Sequence, residues 1–245
     1  MPSCFLRRMA SFLEVIMRLP LSTRLQVCCG FIAPGDVVAD IGCDHGYLGI
    51  YLLKNNIAAR VYASDIHQGP LDSAFHNAHK FGVADKMSFY LSDGLKSVPR
   101  DFTVAVCAGM GADTIQSVLE DAPWLRNEKY RLILQCQSRR PQLRRYLSEN
   151  GWRITEESVI RDGRFLYTVM EVYWEPAYPK LTPGEWFFPP AIMENPSKYT
   201  AAYYDDAVFR LNRELAGKKN TADPTLQAAL TELENMKEIV DDIRS

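Results

Sequence analysis

Apolar and polar positions alternate along most of this chain between two periods, strand-like runs and helix-like stripes. Strands are expected at 37–41, 60–64, 87–91, 103–107 and 130–136, each a short run rich in Val, Ile, Leu, Ala or Tyr. Helical spacing fills the intervals at 47–55, 70–81, 112–120 and 139–150, with Pro70 suited to a first turn and Gly151 to a C-terminal cap. Such β/α alternation implies a parallel sheet with helices on both faces. The pattern changes at 152–160 and 165–174, two strand-like segments joined through Arg161-Asp162-Gly163-Arg164, where Asp-Gly marks a hairpin turn. An antiparallel hairpin therefore closes the sheet, and seven strands are expected in all.

Beyond Glu175 come Pro176, Pro179, Pro183, Pro189, Pro190 and Pro196, a connector in composition. From Ala201 apolar residues recur at helical spacing (Ala201, Tyr204, Val208, Leu211, Leu215), and after a break Leu226, Ala229, Leu233, Met236, Val240 and Ile243 repeat the stripe. Each stripe is too short to stand alone, so an antiparallel coiled-coil hairpin is expected. The chain thus divides into an extension over 1–20, a main domain over 21–175, a connector over 176–200 and a helical hairpin over 201–245. The first stretch, with an amphipathic pattern at 11–19 and Met9 and Met17 as further possible starts, carries no expected chemistry.

Composition adds limits. With 245 residues, 47% of them hydrophobic and 24% charged, the chain can bury a full core, and no apolar run reaches the roughly 18 residues of a membrane span. The six cysteines show neither a C-x-x-C pair nor zinc spacing, which reads as reduced thiols in the cytoplasm. His76 and His79 stand three apart without a third ligand nearby, so no metal site is expected.

The chemistry lies in Val37-Val38-Ala39-Asp40-Ile41-Gly42-Cys43-Asp44-His45-Gly46-Tyr47-Leu48. A buried strand delivers an acid and two glycines to a turn, and a helix starts at once, so backbone N–H groups and a positive helix end converge. The spacing lacks the middle glycine of a dinucleotide fingerprint, and no Gly-Lys-Ser or Gly-Lys-Thr of a phosphate loop occurs. It resembles the first motif of the S-adenosylmethionine-dependent methyltransferases. In that resemblance Gly42, Cys43, Asp44, His45 and Gly46 receive the amino-acid end of the cofactor beside Asp40, with Gly42 and Gly46 giving clearance. Asp65, 25 residues on, takes the ribose hydroxyls beside Ile66, and Asp93-Gly94 meet the adenine. Ala108, Gly109 and Gly111 at the fourth strand end complete the cofactor set. The resemblance also implies the class I methyltransferase fold, a Rossmann-like α/β sheet closed by a hairpin.

The fourth strand end reads Ala108-Gly109-Met110-Gly111, without the Asn-Pro-Pro-aromatic tetrapeptide of many enzymes that methylate exocyclic amines, and no Pro-Cys or Thr-Cys nucleophile is present. Together with Leu21-Ser22-Thr23-Arg24-Leu25, Gly69-Pro70, Ser92-Asp93-Gly94-Leu95 and Leu132-Ile133-Leu134-Gln135, this order is similar to the bacterial tRNA adenine-N1 methyltransferases acting at position 22. Departures are Cys136-Gln137 after Gln135, where the family often has Pro-Asn, and a connector without its usual Gly-Pro. The resemblance implies methyl transfer to adenine N1 of tRNA, with Asp44 accepting a hydrogen bond from the base and Tyr47 and Met110 shaping its pocket. The alternatives are methylation of another RNA or a small molecule, or a non-catalytic cofactor-binding module acting through its coiled coil.

A formal net charge of −2 offers no global attraction to phosphate, so RNA contacts must be local. Arg139, Arg140, Arg144 and Arg145 cluster at one helix start and Arg24 lies before the first strand, all expected at RNA phosphates; Arg18 stands close to Arg24 in sequence. The stretch from Ala201 onward holds nine acidic and six basic residues, so any grip by the hairpin falls to a few positions. Oligomeric state stays open, with a monomer favoured.

Overall fold

The computed structural model describes residues 19–217 and 223–244; the expected helix at 11–19 and Arg18 lie essentially outside them. Seven strands form one sheet: β1 (Val37–Ile41), β2 (Arg60–Asp65), β3 (Met87–Leu91), β4 (Val104–Gly111), β5 (Arg131–Ser138), β6 (Trp152–Asp162) and β7 (Phe165–Trp174). Their order is β3-β2-β1-β4-β5-β7-β6. β1 pairs in parallel with β2 and β4, β2 in parallel with β3, and β6 and β7 are antiparallel. Helices α1 (Thr23–Gly30), α2 (Tyr47–Lys54), α3 (Gln68–Lys80), α4 (Ala112–Glu120) and α5 (Arg140–Glu149) punctuate the strands; α6 (Pro183–Phe187), α7 (Pro190–Glu194), α8 (Thr200–Gly217) and α9 (Pro224–Arg244) follow them. This is the seven-stranded, hairpin-closed α/β architecture expected from the pattern.

Two compact units divide the chain: one runs to Ala108 and includes Ser117–Ile133, the other comprises Gly109–Gln116 and everything from Leu134. In the first, Val38, Ala39, Val61, Ala63, Val104 and Val106 are buried, as parallel strands covered on both faces require. Near the amino end of β1, Thr103 Oγ1 donates to Asp36 Oδ1 at 2.7 Å and Arg131 pairs with Oδ2 of the same carboxylate. α3 starts at Gln68, two residues before the expected point, because the N–H of His67 is already held by Asp65 and sets the turn.

In the second unit β6 and β7 pair up to Asp162 and Phe165, so the connection shrinks to Gly163-Arg164, with Gly163 at φ 59°. The proline-rich stretch is no free linker. Thr182 and Glu185 cap α6 reciprocally, and Glu232 of α9 accepts from the Gly184 N–H at 2.9 Å. Phe187, Phe188 and Ile192 share one core with Val159 of β6, Tyr203, Tyr204 and Leu211 of α8 and Leu226, Leu233 and Val240 of α9. The two C-terminal helices do form a hairpin, tied by the Tyr204 hydroxyl donating to the Leu233 carbonyl at 2.6 Å. Its apolar seam is shared with that core, so the pair does not project alone.

Candidate functional site

The carboxyl ends of β1, β2 and β3 lie side by side in the first unit, where open α/β sheets bind ligands. Asp40 sits one residue before the end of β1, fully enclosed, and among the described residues its Oδ2 has no hydrogen-bond partner. Burial and then the nearby Asp65 push its carboxyl up to about 7. Asp65 ends β2, and both of its oxygens accept backbone N–H groups, Oδ2 from Asp44 at 3.3 Å and Oδ1 from His67 at 2.9 Å. That carboxylate is therefore fixed in direction before any ligand arrives. Ile66 beside it is 60% exposed, an uncovered apolar side chain at the strand end.

The loop Gly42–Gly46 is stitched to its surroundings: Cys43 N–H donates to the Ser64 carbonyl and Asn77 of α3 to the His45 carbonyl. Gly42, Asp44 and Gly46 adopt positive φ, at 68°, 50° and 72°. For Gly46 the structure adds a second reason to the expected one. Its missing side chain also makes room for α3, since a Cβ there would lie 2.9 Å from Ala74 Cβ. Gly46 leaves α2 without a side-chain cap. The Asp44 side chain is 72% exposed, with His45 Nε2 at 3.6 Å and the Tyr47 ring 5.8 Å from that of His45. The Cys43 thiol is buried and its pKa lies above the ordinary thiol range, first through desolvation and then through Asp40, which leaves it a packing group.

After β3, Ser92 Oγ donates to the Gly94 carbonyl and accepts from Ser97 N–H. Gly94 at φ 57° packs against Val118, while Asp93 is exposed and pairs with Lys96 at 2.5 Å, a cation that also reaches Asp121. Lys96 went unnoticed in the sequence; its spacing of three from Asp93 was the available sign. The buried part of β4 ends at Cys107, and Ala108 beyond it is half-buried.

In the second unit, the Gly109 N–H donates to Oε1 of Gln135, which is 1% exposed and also donates to the Cys136 carbonyl. A Cβ on Gly109 would lie 3.3 Å from Gln137 Nε2, and one on Gly111 3.2 Å from Ser138 Oγ. Small residues at 109 and 111 therefore let a polar strand of glutamines and serine lie close beside the end of β4, with Met110 between them.

Residues 21–170 match the family described as a methyltransferase domain. The chain belongs to that family. A Bacillus subtilis relative named tRNA (adenine(22)-N(1))-methyltransferase is 33% identical over 153 residues, 62% of this chain and 64% of its own. A Mycoplasma genitalium relative provisionally named a tRNA methyltransferase is 34% identical over 56% of this chain. The chain thus spans 61–64% of the length of these curated relatives. Among solved structures, Mycoplasma capricolum TrmK in complex with S-adenosyl-homocysteine superposes at a TM-score of 0.71, with 26% identity over 90% of this chain and 98% of that one. A Streptococcus pneumoniae protein bound to S-adenosyl-L-methionine gives 0.75, with 26% identity over 88% and 98%.

On this methyltransferase domain the arginine cluster comes apart. Arg144, expected at RNA phosphates, is wholly enclosed: Nε and Nη2 bond both oxygens of Glu157 at 3.0 and 2.6 Å, and further bonds reach Tyr203 Oη and the carbonyls of Trp186 and Phe187. Burial acts against its charge, but Glu157 and Tyr203 outweigh it and the guanidinium is held ionised. Arg140 is 7% exposed, donates to the Leu166 carbonyl and lies over the Tyr203 ring, so it does not reach out from the surface as expected and little of it is open to a phosphate. A missed signal explains both: Arg140 and Arg144 fall on the same stripe as Leu143 and Leu147 of α5. Arg139 and Arg145 remain exposed, paired with Asp113 and Glu149 respectively, and Arg24 is half-buried.

Proposed function

We propose that the chain transfers a methyl group from S-adenosylmethionine to N1 of adenine 22 in tRNA. The observation that carries this reading is the Asp65 carboxylate, aimed by two backbone N–H groups at the end of β2 and suited to a pair of ribose hydroxyls. It is supported by the name of the Bacillus subtilis relative and by the ligands of the two solved neighbours. The buried Oδ2 of Asp40, without a hydrogen-bond partner among the described residues, fits a cationic or hydrogen-bond-donating amino-acid end, and Ile66 offers an apolar wall. Gly42, Asp44 and His45 would border that end, with Asp93-Gly94 beside the adenine.

When bound, S-adenosylmethionine supplies an electrophilic methyl on a sulfonium. Adenine N1 already presents a lone pair, so the protein's task is to align it with that methyl and to stabilise the positive charge that grows on the ring. A carboxylate at the N1/N6 edge binds the charged ring better than the neutral one. Asp44, exposed and held in position by its own backbone bond to Asp65, is the residue proposed for that task. Tyr47 and Met110 are proposed as base contacts, and Arg24, Arg139 and Arg145 as phosphate contacts. Cytoplasmic residence follows from a tRNA substrate.

The test is methyl transfer to an unmodified tRNA transcript carrying A22 and to the same transcript with G22. A reverse-transcription stop at position 22, in the A22 transcript only, is expected. Equal transfer to both, or none to either, overturns the reading.

A further inference from the structure

In the second unit a hollow of about 360 Å³ lies between the start of α5 and one face of α8, lined by Arg139, Arg140, Arg210 and Arg213 against Asp206 and Glu214. Four guanidiniums meet two lining carboxylates on a chain whose net charge is −2, so this is a local reversal of sign. Asp206 is shared, at 2.7 Å from Arg210 Nε and 3.5 Å from Arg140 Nη2, and so neutralises only part of that pair. Arg139 stands in the left-handed region at φ 54° and pairs with Asp113 through side chains 60% and 65% exposed. An ion pair so exposed is weak, weaker than a charge-assisted bond to phosphate, so it yields to one.

We infer that this hollow seats backbone phosphates of the RNA substrate, gripped by Arg139 on one side and Arg210 and Arg213 on the other. The heads of Arg139 and Arg210 are more than half exposed, which suits a chain of phosphates passing over the hollow better than a single enclosed anion. Guanidinium forks match phosphate oxygens bidentately. Arg140, fixed by Leu166 and Tyr203, forms the charged floor. Gln137 and Ser138 line the same hollow and also lie against Gly109 and Gly111, so the track begins beside the end of β4. The inference rests on the tRNA reading above.

The experiment measures binding of fluorescent A22 tRNA transcript to the full chain across salt concentrations. It compares wild type, Arg210→Gln/Arg213→Gln, and a charge-matched control, Lys54→Gln/Lys86→Gln, that lies outside the lining. Melting curves verify folding of each. The groove variant is expected to bind at least tenfold more weakly, with the slope of log affinity against log salt flattened by roughly 0.7–0.9 per lost contact. An unaltered slope in the groove variant, or an equal loss in the control, overturns the groove while leaving the methyl-transfer reading in place. Absence of tRNA binding by wild type overturns both. If the double variant melts early, the single Arg213→Gln is measured instead, with half the slope change expected.

Discussion

The backbone N–H of Asp44 donates to Oδ2 of Asp65 across 3.3 Å, so the loop after β1 and the end of β2 are aligned by one carboxylate. Losing that acceptor frees the loop as well as the ribose site. Asp65→Ala is expected to weaken S-adenosyl-homocysteine binding about 10- to 100-fold in a calorimetric titration, the effect of about 1.5–3 kcal/mol per charged hydrogen bond. Asp65→Asn, which keeps one acceptor oxygen, should lose less. An unchanged dissociation constant for Asp65→Ala would refute the cofactor role.

Asp44 itself invites a separate measurement. With cofactor and tRNA both saturating, single-turnover transfer by Asp44→Asn is expected to slow by roughly tenfold or more, since the charge facing the alkylated ring is gone. A rate equal to wild type would leave Asp44 as a loop-shaping residue only.

Asp40 gives a pH signature. Its folded carboxyl titrates at about 7, well above the ordinary value near 4, so the ligand-free fold holds a proton there that the unfolded chain has already lost. Stability from this group is full below about pH 4 and is lost as pH rises towards 7 and through it. Asp40→Asn should therefore raise the melting temperature of the ligand-free protein at pH 8, by the equivalent of at most about 4 kcal/mol, with the difference vanishing near pH 4. It should weaken cofactor binding at the same time. A variant no more stable at pH 8 than wild type would show that the carboxylate is not strained.

The strands were legible because their apolar runs are unbroken, and that same register put Asp40, Asp65 and Asp93 within two residues of three neighbouring strand ends. What the pattern did not reveal depended on partners far away in sequence. Gly46 was expected for ligand clearance alone, and the close approach of Ala74, 28 positions on, adds a packing reason. Arg140 and Arg144 were expected at RNA phosphates from their charge, whereas Leu143 and Leu147 mark that stripe as the buried one. Arg210 and Arg213 gained meaning only when α8 was seen to share a hollow with the start of α5.

Arg144 is therefore expected to matter to folding. Arg144→Met leaves Glu157 buried without its partner and should cost about 3–5 kcal/mol in a denaturant or thermal melt. Arg144→Met/Glu157→Leu should recover much of that loss. A single variant as stable as wild type would contradict the buried pair.

Gly46→Ala combines a positive φ with a Cβ inside contact distance of Ala74 and should destabilise by roughly 1–3 kcal/mol. Ala74→Gly in the same chain relieves the clash but not the dihedral cost, so partial rescue is expected. Full rescue would place the whole cost in the clash, and no rescue would place it in the backbone.

The same Arg144 sets a limit on how this protein can be cut. Its guanidinium reaches past the strand hairpin to the carbonyls of Trp186 and Phe187 and to the Tyr203 hydroxyl, all beyond the point where composition suggests a seam. A chain stopped at residue 175 would keep the Arg144–Glu157 pair but strip three of its acceptors and uncover Val159. The C-terminal helices are thus not a detachable accessory: for the half of the sheet that ends in β6, they are the missing wall.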